Sequence, residues 1–204
     1  MVSKLFVIAI AIILAISIVI GIYEVSIHRI ARYSRPLIPE AIEELIEGVP
    51  QSISIKSSFS NFSRIPMKYT CDGSDISLPL TISGIPFKAS CIAILMYDPD
   101  APKGVFYHWL VYNVSATGKV VHIPQALPKT PVLQGVVQGV NSFGYVGYGG
   151  PCPPKGSTHR YVILVLALRY CPHVSQPLTI GKLLQACKKG KVLAYGILVG
   201  LYGR

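Results

Sequence analysis

Four side chains in this sequence are of types that move protons or hold charge: Asp98, Asp100, His108 and His159. Asp98-Pro99-Asp100-Ala101-Pro102 directly follows Ser90–Tyr97, an apolar run of the buried-strand type. Two carboxylates therefore stand in a stiff loop at a strand end, because proline fixes φ and removes a donor. His108-Trp109 opens the next apolar run, and His159-Arg160-Tyr161 opens another after Gly147-Tyr148-Gly149-Gly150-Pro151-Cys152-Pro153-Pro154. Each histidine is thus placed where a strand meets a loop, a common position for a ligand group on a rigid scaffold. Imidazoles donate hydrogen bonds to anions, and an Asp98 carboxylate beside one orients it and favours its protonated form. Gly149 and Gly150 are expected to let the backbone approach closely and to aim N–H groups at an anion.

Other chemistries fit the same residues less well. Asp98, Asp100, His108 and His159 could supply zinc ligands, but no His-x-x-x-His or Cys-x-x-Cys spacing accompanies them. A serine hydrolase lacks its Gly-x-Ser-x-Gly elbow. No metal, no cofactor and no catalytic residue are expected. The chain reads as a binding module rather than an enzyme, with a weak hydrolase as an alternative.

The elements that must position these groups follow from patterning. From Gln51 onward, short alternating or apolar runs are separated by Pro, Gly, Asn and Ser clusters, which is the punctuation of β-proteins. Gln51–Lys56, Ser90–Tyr97, His108–Val114, Tyr161–Arg169 and Val192–Tyr202 read as strands, and Leu178–Lys188 as a helix. Ile42, Leu45 and Ile46 form an i, i+3, i+4 face in a short helix running from Pro39 to Gly48. The fold class is therefore mostly β, with one or two short helices in a single domain over residues 51–204.

Leu5–Ile22 is an unbroken run of apolar and small residues. As a helix it would reach about 27 Å, near the thickness of a bilayer core. It is expected to be an uncleaved transmembrane anchor, with a cleaved signal peptide as the competing reading. Residues 23–50 then read as a juxtamembrane connector, and the protein as a single-pass membrane protein. Its sidedness has two readings. Arg29, Arg32 and Arg35 place the domain inside by the positive-inside rule, and the cysteines place it in an oxidising compartment, towards which the reading leans.

Charge is distributed unevenly. The net charge is +10, yet all nine acidic residues lie before residue 101, and the rest of the chain carries only basic ones. Such a surface attracts anions.

Three segments in register resemble the phosphatidylethanolamine-binding protein family, also called Raf kinase inhibitor-like proteins. They are Ile65–Gly73 followed by Ser77-Leu78-Pro79-Leu80, then Asp98–Pro102 with His108-Trp109, then Gly147–Pro154 with His159-Arg160-Tyr161. The short loop before His108, and the Cys-Asp-Gly and Pro-Cys-Pro-Pro elements, are similar to its bacterial and archaeal branch. The resemblance spans roughly residues 52–203. It implies an antiparallel β-sandwich whose pocket is lined by Asp98, His108, Gly150, Pro151, His159 and Tyr161, with Asp100, Pro102 and Trp109 supporting its shape. It also implies a phosphate-bearing small molecule or a lipid headgroup as ligand. A protein-interaction module that inhibits a kinase or serine protease is the second reading, and nucleic acid is not an expected partner.

Five cysteines remain. Cys71 and Cys152 both lie in motif loops, and a bridge between them is one expectation. Cys171 with Cys187, joining a strand end to the following helix, is another. Cys91 reads as a buried apolar residue.

Overall fold

The computed structural model describes residues 13–23, 35–118 and 120–204. Its strands, in chain order, are β1 (Ser54–Lys56), β2 (Ser63–Arg64), β3 (Leu80–Ser83), β4 (Cys91–Asp98) and β5 (Phe106–Ser115), then β6 (Val120–Ile123), β7 (Val132–Leu133), β8 (Val136–Gln138), β9 (Thr158–Leu168) and β10 (Val192–Gly203). The helices are α1 (residues 13–23), α2 (Glu40–Ile46) and α3 (Ile180–Gly190).

A seven-stranded sheet runs in the order β2-β10-β9-β4-β5-β8-β7, and a three-stranded sheet in the order β1-β3-β6. All pairings are antiparallel except β10 with β2. The mostly antiparallel sandwich expected from the sequence is present. Every residue of β4 is buried, which explains why its sequence does not alternate: both faces of the central strands are covered. Ile92, Ile94, Met96, Trp109, Ile163 and Val165 pack in one core with Leu80, Ile82, Val121 and Ile123 of the small sheet. Ala93, Leu95, Leu110, Leu164 and Leu166 pack in a second core with Ile42 and Ile46 of α2 and with Leu183, Ala186 and Cys187 of α3.

The helices follow from local signals. In α3, the Thr179 side chain accepts from Lys182 N, and Lys188 and Lys189 occupy the last turn, where cations suit the helix dipole. This cap starts the helix two residues later than the sequence pattern indicates, leaving Leu178 buried just before it. In α2, Pro39 stands at the N-cap with Glu40 and Glu43 in the first turn. Ile42 is fully buried, which contributes about 1.5–3 kcal/mol. The chain divides into two units, residues 1–36 and 37–204. The helix read from the sequence as part of a connector thus packs inside the second unit.

The expected membrane anchor is corrected by the structure. Leu5–Ile22 lies partly outside the described residues, as does the 24–34 stretch of the 23–50 connector, and the described part of the run is the helix at residues 13–23. Among the described residues no helix is long and apolar enough to cross a membrane. The single-pass membrane assignment is overturned on that ground.

The cysteine pairing is also corrected in part. Cys71 and Cys152 are joined, with Cα atoms 5.4 Å apart, as the motif loops suggested. The second bridge joins Cys91 to Cys171, Cα to Cα 6.1 Å, and Cys187 is a free buried thiol. Cys91 opens β4 rather than lying inside it, beside the segment that leaves β9. Burial pushes the Cys187 thiol up to about 12.

Candidate functional site

Antiparallel pairing brings distant segments together. β4 pairs with both β5 and β9, so its C-terminal end meets the N-terminal starts of both neighbours. Asp98 ends β4, His108 lies near the start of β5, and His159 and Tyr161 lie near the start of β9. The β4–β5 register shifts between Met96–Trp109 and Tyr97–Tyr107, which leaves His108 as the extra residue. A bulge of this kind re-aims a side chain beside a site. The His108 ring accordingly meets the Tyr161 ring edge-on, with centroids 5.2 Å apart.

Each ring is fixed through Nδ1. His159 Nδ1 donates to Asp98 Oδ2 at 2.7 Å, and His108 Nδ1 donates to the Gly149 carbonyl at 2.7 Å. These two bonds leave the other ring nitrogen of each, Nε2, uncommitted to them. Asp98 Oδ1 accepts from Asp100 N at 2.7 Å, so the loop itself orients the carboxylate. Asp98, His108 and His159 are all buried. Burial pushes His108 below the ordinary imidazole value, outweighing the Gly149 and Gly150 carbonyls and the Asp98 and Asp75 carboxylates that pull it upward. The imidazole bonded to Asp98 is therefore His159, while His108 is driven towards its neutral form.

Tyr161 is fully buried, and its Oη is the one buried side-chain polar atom among the described residues without a hydrogen-bond partner. The Cys152 backbone N–H approaches the hydroxyl and pulls its pKa down, but it does not meet the geometry of a full hydrogen bond. Burial, and then the Asp98 charge, push this phenol well above its ordinary value, so it stays protonated and can donate. An unmet buried hydroxyl costs about 1–3 kcal/mol.

Asp100 plays a different part. Arg160 grips it through backbone N and Nε, both 2.9 Å from Oδ2, and through Nη2, 2.5 Å from Oδ1. Pro102 is exposed on the loop surface and Pro151 is buried. Trp109 is buried, donates to Gln138 Oε1 at 2.9 Å, and packs edge-on against Tyr148.

The reading of the paired glycines needs correction. Gly149 N donates to the His108 carbonyl at 2.9 Å, and Gly150 N donates to Asp75 Oδ1 at 2.6 Å. Both N–H groups are engaged within the protein, so neither is aimed at an anion. Close approach does require glycine at both positions: a Cβ on Gly150 would lie 2.6 Å from the Tyr69 carbonyl, and one on Gly149 would lie 2.5 Å from the Phe143 ring.

Sequence reasoning missed Asp75, which also pairs with Lys129 at 3.0 Å, and the aromatic neighbours Phe106 and Phe143. Asp75 touches Gly150 across 75 positions, and its φ of 50° belongs to a tight turn that Ser-Asp in a polar stretch only hints at. Tyr148 packs and donates to the Tyr69 carbonyl, whereas Tyr145 stays partly exposed. Among the described residues, no group of three or more His, Cys, Asp or Glu is arranged to hold a metal ion.

Comparison with known proteins agrees with this arrangement. Residues 55–203 match the sequence pattern of the family described as phosphatidylethanolamine-binding protein. A UPF0098 protein of Archaeoglobus fulgidus is 44% identical over 76% of this chain, the match spanning about half (52%) of that relative. UPF0098 proteins of Pyrococcus horikoshii and Aquifex aeolicus are each 41% identical, over 75% and 72% of this chain and 77% and 85% of theirs. Among solved structures, a phosphatidylethanolamine-binding protein homologue of Chlamydia trachomatis superposes with a TM-score of 0.67 at 32% identity, over 76% of this chain and 99% of that one. YbcL of Escherichia coli gives 0.66 at 30% identity, over 75% and 99%. With the motifs in register, the sandwich matched and the three strand ends converging, the chain belongs to the phosphatidylethanolamine-binding protein family.

Proposed function

We propose that this chain is a non-enzymatic binding module whose pocket takes the phosphate group of a small molecule or lipid headgroup. The observation that carries this reading is the buried Tyr161 hydroxyl, left without a partner beside two histidines whose Nδ1 atoms are already committed. A phosphate oxygen would accept from Tyr161 Oη and from the two Nε2 atoms. An anion there would favour protonation of His108, so binding takes up a proton when pH is above the free-protein value. Both Asp98 oxygens are already engaged by donors inside the protein, the loop amide on Oδ1 and His159 Nδ1 on Oδ2, so the carboxylate is turned away from an anionic ligand's own donors. Neither carboxylate is left free to act as a general base, because Asp98 is held at both oxygens and Asp100 is gripped by Arg160. This supports binding over turnover.

The test is calorimetric titration of the full chain with inorganic phosphate, and with sulfate, whose charge is constant, between pH 5 and 9. The reading expects saturable binding that weakens as pH rises and is lost when His108 and His159 are both replaced by Ala. Sulfate affinity that is flat across this range, or binding that survives the double replacement, would sink it.

A further inference from the structure

We infer that the pocket carries an adjoining aromatic subsite, made by Phe143 and Phe106, that selects phosphate esters of flat aromatic groups over esters bearing an ammonium group; this rests on the phosphate-pocket reading above.

The subsite abuts the phosphate position through His108. Phe106 lies 5.1 Å and Phe143 5.5 Å from the His108 ring, centroid to centroid, and they meet each other edge-on at 4.7 Å. Any substituent on a phosphate held by His108 therefore starts within about one ring width of these two side chains. His108 itself is buried, but Phe143 keeps 44% of its surface exposed, so it offers a face to an incoming group.

This wall is built rather than incidental. The loop that carries Phe143 is held by buried Asn141, whose Oδ1 accepts from Phe143 N at 3.0 Å and whose Nδ2 donates to the Gly147 carbonyl at 3.0 Å. Ser142 exchanges bonds with Tyr107 on β5: its N donates to the Tyr107 carbonyl at 2.8 Å, and its Oγ accepts from Tyr107 N at 2.9 Å. On the inner side the ring presses on Gly149, where any Cβ would collide with it. A wall held in place before binding costs little ordering when a ligand stacks on it.

An ammonium group would seek an aromatic face, as cations do. That aromatic wall already carries a cation: Lys129 Nζ sits 4.8 Å from the centre of the Tyr145 ring, which stacks on Phe143 with centroids 5.8 Å apart. The carboxylate that could attract an ammonium, Asp75, is bonded to that same Lys129 and to Gly150 N. A cationic substituent thus meets a like charge and an occupied acceptor. An aromatic substituent meets the exposed part of the Phe143 ring.

The experiment titrates the full chain with inorganic phosphate, phenyl phosphate and phosphoethanolamine under one condition. Phenyl phosphate is expected to bind roughly fivefold more tightly than phosphoethanolamine. Phe143→Ala should bring the two affinities within about twofold of each other. Phe143→Leu, which keeps apolar bulk in the loop, should do the same, and Lys129→Met should improve phosphoethanolamine binding. If inorganic phosphate binds but the two esters bind alike, or the preference survives both Phe143 variants, the subsite is overturned and the phosphate pocket stands. If inorganic phosphate does not bind at millimolar concentration, both readings fall together.

Discussion

Two buried carboxylates, two residues apart in one loop, meet opposite fates in this protein. Asp100 is surrounded by donors from Arg160, backbone and side chain, in a two-point grip. Asp98 takes one backbone donor and one imidazole, and His159 still has a ring nitrogen to offer beyond it. The first cluster is closed, since its hydrogen bonds end within the fold. The second passes its polarity on towards Tyr161 and His108, where a buried hydroxyl is left unmet. A closed cluster holds the loop in shape. An open one tolerates an energetic deficit that a ligand can relieve, which is where binding function is expected to lie.

If this contrast is right, the two clusters respond oppositely to mutation. The largest effect is expected for Arg160→Ala, which removes the counter-charge of the buried Asp100 carboxylate and leaves it the backbone N–H of residue 160. It should cost about 3–5 kcal/mol in urea denaturation, and ligand affinity measured on the remaining folded protein should change less than stability does. Next comes the Cys71–Cys152 bridge, which ties the turn at Gly73 to the Pro151–Pro153 loop. Replacing both cysteines with Ser should lower stability by about 2–4 kcal/mol, since the Cys91–Cys171 bridge already constrains an overlapping loop. Reduction of the wild-type protein followed by a melting curve gives an independent check.

Smaller effects separate the clusters more sharply. Asp98→Asn keeps a hydrogen-bonding group but removes the charge that orients His159, so stability should fall by about 1 kcal/mol while phosphate affinity falls roughly tenfold. Tyr161→Phe should do what mutations rarely do and raise stability, by about 1 kcal/mol, while weakening phosphate binding. A Tyr161→Phe variant that is less stable and binds unchanged would show the hydroxyl to be structural. The smallest effect is on pH dependence. Because burial holds His108 below its unfolded value of 6.5, the unfolded chain binds more protons there, and stability is lost as pH falls through 6.5 towards the folded value. His108→Asn should flatten that acid slope in denaturation curves taken from pH 7.5 to 5.

Much of this architecture is legible in the sequence because its signals are local. The unbroken apolar run of β4, the proline-stiffened loop after it and the strand-opening positions of His108 and His159 each follow from neighbours along the chain. What escaped depends on contacts across the chain. Gly150 reads as an anion donor until Asp75 is seen to take its N–H, and no local signal announces that pairing. The bulge at His108 is a property of register between two strands. Cysteine spacing does not specify connectivity, so from sequence Cys91 reads as core although it is bonded to Cys171. The α2 helix reads as part of a connector because the apolar face of Ile42, Leu45 and Ile46 says that it packs, but not against what. The apolar N-terminal run shows the converse: hydropathy alone suggested a membrane span, and among the described residues no helix of that length appears.

The most direct test follows the His108 and His159 ring signals by NMR while the full chain is titrated with inorganic phosphate. The open-cluster account predicts saturable shifts in both rings with one shared affinity, weakened in Tyr161→Phe and retained in Lys129→Met. Rings that stay unmoved at millimolar phosphate, or shifts that are unchanged in Tyr161→Phe, would contradict it.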